Sequence, residues 1–241
     1  MSVIFKIINL WLLDKDNAST ITSKLNYQLS NYHIIMQHVL EVLNISRYYL
    51  ATFLKHVYIL ESISESNKNE RFSIDESHFL NKNNEAIWVI GVINNATKKF
   101  RLEFSKIRNE EILKKFIWLH IKPGNIIVSD GWSDYNFLSR NDSQYTHSIH
   151  NHGHGDLWVG LDSTSHIEQL WFQLKYIIKQ IYYIITSEKY FLFIRQAQFQ
   201  VNIKSLSEDE KLNEFIDTIK YIKNIEINNL FDDNNLISLG K

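Results

Sequence analysis

Apolar residues recur three and four positions apart through the first quarter of the chain, which is the spacing of amphipathic helices. They lie between residues 4 and 62 and are separated by polar turns. We predict four short helices of the kind that forms a helix-turn-helix module, and a plain helical bundle fits the same pattern. The stretch from Asn31 to His33, where a recognition helix would begin, holds few basic groups.

From residue 71 onward the pattern changes to that of strands alternating with helices. Strands are predicted over residues 72–79, 86–92, 99–104, 126–129 and 145–149. Amphipathic helices are predicted over residues 110–120 and from about residue 164 to 185. We therefore predict an α/β sandwich with the layout of an RNase H-like fold, formed by three antiparallel strands, a helix, a central strand and flanking helices.

The chain is expected to divide into three parts. Residues 64–71 are the most linker-like stretch, and they separate the helical pattern from the strand pattern. We therefore predict an all-helical, helix-turn-helix-like segment over residues 1–65 and an RNase H-like domain over residues 70–190. A helical tail is predicted over residues 191–241, and it carries no motif with a chemical interpretation.

Three acidic residues stand where this layout can bring them together. Asp75 lies in the middle of a predicted strand, Asp130 directly follows the buried strand 126–129, and Glu168 lies on a predicted helix. Because hard divalent cations prefer oxygen ligands, two strand-borne Asp residues and one helix-borne Glu are consistent with a two-metal site. Glu76, beside Asp75, is interpreted as a solvated neighbour.

Composition and charge limit the classes of partner. The chain is 44% hydrophobic and contains no cysteine, which allows a packed core and excludes disulfides and thiolate metal sites. The formal net charge of −1 gives little support for a polyanionic partner. The apolar run over residues 3–13 is interrupted by Lys6 and is too short to span a bilayer, so we expect no membrane partner and no secretion signal.

A histidine-rich loop offers a second candidate for metal binding. His150, His152 and His154 alternate with Asn and Gly. Three neighbouring imidazoles suggest zinc, but the spacing is not that of a tetrahedral site and no cysteine assists. An exposed or structural loop is therefore favoured over a metal site.

Five motifs along the chain resemble, in order, those of the ISXO-two-like and Merlin-type DDE transposases. They lie at residues 72–79, 88–91, 128–135, 145–152 and 164–175. The motifs cover about half of the chain, and it is their combination and order, more than any one of them, that makes the resemblance specific. In two places the sequence departs from the family. Ser165 stands where the family commonly has Asn, and the paired cysteines of an N-terminal zinc ribbon are missing.

The resemblance implies a DNA-strand-transfer enzyme with an RNase H fold. Asp75, Asp130 and Glu168 would bind two divalent metal ions, magnesium or manganese. In the implied reaction, water hydrolyses a strand at the transposon end, and the freed 3′-hydroxyl then attacks target DNA. The implied partners are transposon ends and target DNA, with the protein acting as a homo-oligomer on DNA. The expected compartment is the nucleus in a eukaryote and the cytoplasm otherwise.

The same resemblance suggests three DNA-contacting residues. Lys175 lies on the helix face of Glu168 and could hold a phosphate, and His152 could face the active site. Trp171 is more typical of a core residue, with base stacking as the alternative. Two other functions stay open: a transposase-derived, non-catalytic DNA-binding protein, and a structure-specific nuclease of the same fold.

Overall fold

The computed structural model describes residues 3–12, 17–26, 32–60, 63–66, 68–80, 86–150, 163–181 and 190–224. These residues fall into two compact units. One unit contains the sheet and lies within His56–Ile177, and the other combines helices from Met1–Lys55 with helices from Ile178 onward. The predicted three-part division, with a separate C-terminal tail, stays a prediction.

The first unit is built on a five-stranded mixed sheet. Its strands are β1 (Arg71–Leu80), β2 (Ala86–Asn94), β3 (Phe100–Ser105), β4 (Ile126–Ser129) and β5 (Thr146–Ile149), in the order β3-β2-β1-β4-β5. β1, β2 and β3 pair antiparallel, whereas β4 pairs parallel to both β1 and β5. This mixed sheet flanked by helices confirms the predicted RNase H-like fold.

Alternation along β1 separates its side chains onto the two faces of the sheet. Phe72 and Ile74 are fully buried on the face covered by α4 (Glu110–His120), where they belong to the same core cluster as Phe116. Asn109 caps α4, since its side chain accepts the N–H of Ile112. The opposite face of β1 receives α5 (Ser165–Ile181) and presents the residues at odd positions.

A tight hairpin joins β2 to β3. The Asn94 side chain accepts the N–H groups of Ala96 and Thr97, and Lys98 has a φ angle of 62°. An Asn side chain that bonds its own following backbone is a common turn device. The hairpin fixes the register of β2 with β3, and β2 pairs on its other side with β1, where Gly91 stands opposite Asp75.

The second unit is helical. Its helices are α1 (Val3–Leu12), α2 (Ala18–Asn26), most of α3 (Tyr32–Leu60), α6 (Tyr190–Asn202) and α7 (Glu208–Asn224). The Trp11 and Phe215 rings meet edge to face with their centroids 5.8 Å apart. The buried Arg47 guanidinium donates to Gln196 at 2.7 Å. This hydrogen bond joins α3 to α6, so helices from both ends of the chain pack together.

The predicted break between a third and a fourth helix is wrong, because α3 runs without interruption for 29 residues. Residues 32–60 contain neither Gly nor Pro, so nothing in the backbone forces the helix to end. The polar residues that suggested a turn are accommodated within it, since the Ser46 hydroxyl donates to the Val42 carbonyl one turn earlier. No helix in the described ranges is long and apolar enough to cross a membrane.

Candidate active site

Asp75 lies in the middle of the central strand β1, on the face that α5 covers. Its Oδ2 accepts a hydrogen bond of 2.9 Å from the indole Nε1 of Trp171. The parallel register of β1 with β4 pairs Ser73 with Val128. Asp75 and Asp130 each lie two residues beyond that pair, and the charge of Asp130 acts on Asp75.

Asp130 stands where β4 ends and the chain turns. Its Oδ1 accepts the backbone N–H of Trp132 at 3.0 Å, which fixes the carboxylate over the turn. The residue before it, Ser129, lies 2.8 Å from His147 Nε2, and the other ring nitrogen of His147 lies 2.8 Å from the Ser139 hydroxyl. These contacts hold the end of β4 against β5, the strand that contains His147.

Glu168 lies in the first turn of α5, and residues before that helix position it. The Thr164 hydroxyl donates to Glu168 Oε1 at 2.8 Å. The carbonyl of Ser163 accepts the hydroxyl of Ser73 at 2.9 Å, which ties the start of α5 to β1. Ser163 and Thr164 thus position Glu168, and this does not require an Asn at position 165.

Electrostatic interaction links Asp75 to the other two carboxylates. The pKa of Asp75 is raised to about 6, chiefly by burial and also by the negative charges of Asp130 and Glu168, although hydrogen bonds from the Glu76 backbone and the Trp171 indole oppose the rise. Asp130 and Glu168 therefore lie close enough to Asp75 to repel its charge. In the described part of the chain, no three His, Asp or Glu side chains are already arranged to hold a metal ion.

The donor set nevertheless fits a hard divalent cation. All three groups are carboxylates, they come from the separate elements β1, β4 and α5, and each is only half-buried. Mutual repulsion among like charges is relieved when a cation binds between them. Asp75, Asp130 and Glu168 are thus the residues that could hold the ions.

The interpretation of Glu76 as a solvated neighbour is wrong. Its side chain is 2% exposed and pairs with Arg108 at 3.6 Å, and it accepts a hydrogen bond from the Tyr135 hydroxyl. Burial raises the pKa of Glu76 to about 7, although the Tyr135 hydrogen bond lowers it. The alternation Phe72, Ile74, Glu76 was the signal, because it places Glu76 on the buried face covered by α4.

The predicted DNA-contacting residues lie in different environments. Trp171 is 5% exposed and packs edge to face against Phe79, a location that favours an orienting role toward Asp75 over base stacking. Lys175 is exposed, and its Nζ lies 5.4 Å from the centre of the Phe79 ring. His152 and His154 lie outside the described residues, so the preference for an exposed or structural loop over a metal site, and the placement of His152 toward the active site, stay predictions.

Comparison with known protein families shows to which family this chain belongs. The profile of the ISXO2-like transposase domain matches residues 57–202, more than half of the sequence. The chain belongs to the ISXO2-like transposase family. This match confirms the family relationship suggested by the five motifs. It also supports DNA transposition or integration as the general class of activity.

Solved structures similar to this family member include retroviral integrases. A chain of the simian T-cell lymphotropic virus intasome, solved with the PP2A regulatory subunit B56 gamma, is 12% identical, with 77% of this chain and 69% of that chain covered and a TM-score of 0.40. The HTLV-2 integrase catalytic core domain with magnesium, in its dimeric form, is 11% identical, with coverages of 58% and 88% and a TM-score of 0.36. No curated protein matches the sequence significantly.

Gly91 leaves the space that the Trp171 indole fills. A Cβ at residue 91 would lie 2.5 Å from Cη2 and 2.7 Å from Cζ2 of that ring. We expect Gly91→Ala to lower the free energy of unfolding by about 1–3 kcal/mol, as overpacking does, and to displace the indole N–H from Asp75. Urea denaturation measures the first effect.

The matched control for that variant is Trp171→Phe, which removes the outer ring atoms that an alanine at residue 91 would strike. The double variant should be destabilised by less than the sum of the two single variants, with a coupling of about 0.5–3 kcal/mol. Strict additivity of the two effects would contradict the close approach of Gly91 and Trp171.

The raised pKa of Asp75 gives the metal-free protein a characteristic pH dependence. A carboxyl with a higher pKa in the folded state binds its proton more tightly there, so stability is lost as pH rises. We expect the free energy of unfolding to fall by on the order of 2–3 kcal/mol between about pH 4 and pH 6 because of this group. Urea denaturation across that range, compared with Asp75→Asn, isolates the effect. A fall of equal size in Asp75→Asn would show that another group causes it.

Proposed function

We propose that the chain is a DDE transposase that cleaves and joins DNA strands, with Asp75, Asp130 and Glu168 as ligands for two magnesium or manganese ions. The observation that supports this proposal is the placement of one carboxylate on β1, one at the end of β4 and one in the first turn of α5, near enough that the charges of Asp130 and Glu168 raise the pKa of Asp75. Membership of a transposase family supports DNA as the substrate.

The three carboxylates share one role in the proposed site. Asp75 from the central strand, Asp130 from the end of β4 and Glu168 from α5 would together hold the two ions through their carboxylate oxygens. Two bound divalent ions supply charge stabilisation at the phosphorus and activation of an oxygen nucleophile. The residues around the acids orient them: Trp171 donates to Asp75, and the Thr164 hydroxyl donates to Glu168.

The proposed reaction has two steps on DNA. Water cleaves a strand at the transposon end and releases a 3′-hydroxyl, and that hydroxyl then displaces a 3′-oxygen in the target strand. The partners are therefore transposon ends and target DNA, with the protein acting as a homo-oligomer on them. Lys175 is exposed two turns along α5 from Glu168, so its ammonium is placed to contact a phosphate near the cleaved bond.

A second candidate is a transposase-derived protein that binds DNA without cleaving it. One observation favours it: the formal net charge of −1 is low for a protein that must hold two DNA segments. The two candidates differ in one measurable property, which is metal-dependent breakage of a phosphodiester bond.

Substitution of the three acids tests the proposal. Asp75→Asn, Asp130→Asn and Glu168→Gln keep side-chain size and remove the charge that a cation needs. Loss of several kcal/mol of transition-state stabilisation should lower the rate of strand cleavage and joining by at least about 100-fold. The rates are measured with plasmid and oligonucleotide substrates in magnesium or manganese.

The control for these variants is Asp142→Asn, because Asp142 is an exposed acid that should not affect the rate. Wild-type rates in the three variants, or cleavage that needs no divalent ion, would refute the proposed site. DNA binding with no cleavage by the unmodified protein would support the second candidate. Cleavage without joining would indicate a structure-specific nuclease.

A further inference from the structure

We infer that Arg108 is a positioning residue for Asp130, acting through the ring of Trp132. This inference deepens the proposed function and rests on it, because it concerns how one of the three carboxylates is held. Arg108 lies on the opposite face of the sheet from Trp171, directly before the N-cap of α4.

The Arg108 guanidinium lies between two indole rings. Its central carbon is 3.9 Å from the centre of the Trp132 ring and 4.6 Å from the centre of the Trp88 ring. One of its nitrogens lies 3.6 Å from the carboxylate of Glu76, whose side chain is 2% exposed. A planar cation between two aromatic faces and beside a buried anion is strongly restricted in position.

The same Trp132 supplies the hydrogen bond that orients Asp130. Its backbone N–H donates to Asp130 Oδ1 at 3.0 Å. The Trp132 ring is further confined by an edge-to-face contact with Tyr135, at 6.0 Å between centroids. Because Arg108 and Tyr135 hold the Trp132 ring, the backbone N–H of Trp132 that donates to Asp130 has a fixed direction.

Glu76, which lies on the face of β1 that α4 covers, completes the arrangement. It binds Arg108 and also accepts a hydrogen bond from the Tyr135 hydroxyl. Glu76 therefore anchors both of the groups that contact the Trp132 ring. A chain of direct contacts thus runs from the buried face of β1 to the carboxylate at the end of β4.

Lysine cannot replace arginine in this position. An ammonium is a compact, strongly hydrated charge without a flat face, so it can pair with Glu76 and approach one ring but cannot stack flat between Trp88 and Trp132. Arg108→Lys thus preserves the charge balance around Glu76 and weakens the restraint on Trp132. If Arg108 only neutralised Glu76, this substitution would leave Asp130 unaffected.

The test measures Mn²⁺ binding to the full chain by electron paramagnetic resonance of the free ion, without any DNA. Loss of an orienting contact next to a ligand typically weakens metal binding by about 10–100-fold. We expect Arg108→Lys to weaken Mn²⁺ binding to that extent. The matched control is Arg140→Lys, because Arg140 pairs with Glu110 at 3.1 Å with a half-exposed side chain, and it should bind Mn²⁺ as the unmodified protein does.

A second variant guards against a folding defect in the first. Trp132→Leu keeps Arg108 and Glu76 but removes the ring through which they act, and it should weaken Mn²⁺ binding to a similar degree. Unchanged Mn²⁺ affinity in a folded Arg108→Lys or Trp132→Leu protein, with only a lower melting temperature, would overturn the inference. In that case Arg108 serves stability alone.

Failure of the proposed function gives a different result. If the unmodified chain binds no Mn²⁺, or if Asp75→Asn binds it as tightly as the unmodified chain, the three-carboxylate site itself is refuted and the inference falls with it. If Asp75→Asn and Asp130→Asn lose Mn²⁺ binding while Arg108→Lys and Trp132→Leu retain it, only the positioning role is refuted.

Discussion

The burial of the Asp75 carboxylate near two other carboxylates is the constraint on which the account of this site depends. Asp75 is held in the central strand, where burial and the charges of Asp130 and Glu168 raise its pKa to about 6. A cluster of this kind destabilises the folded chain unless protons or cations are bound. The fold must therefore hold Asp75 in place, and the negative charge concentrated around it favours the binding of a divalent cation.

The sheet meets this constraint with a separate donor for each acid. An indole N–H orients Asp75, a backbone N–H orients Asp130, and a threonine hydroxyl orients Glu168. Each donor belongs to an element that the sheet itself positions, so the acids are oriented by the fold and not by one another. Charge-assisted hydrogen bonds of this kind are stronger than neutral ones and keep a ligand oriented before its cation arrives.

The local sequence pattern was sufficient to predict the strands and helices whose apolar residues recur with a fixed period. The alternation in β1, the short apolar strand before Asp130 and the helical spacing around Glu168 were all visible in the sequence, and the structure has the corresponding elements. Contacts between distant residues were not visible. The approach of Trp171 to Gly91 and the stacking of Arg108 on Trp132 join segments far apart in the chain, and no local period encodes them. Glu76 was misread because its charge was given more weight than its position in the alternation.

The most direct test of the central claim is the location of Mn²⁺ in crystals of the full chain, identified by its anomalous scattering. The account predicts Mn²⁺ bound by Asp75 together with Asp130 or Glu168, with metal–oxygen distances near those of other hard cations, about 2.0–2.6 Å. Mn²⁺ bound only elsewhere, with the three carboxylates directed away from a common point, would contradict it.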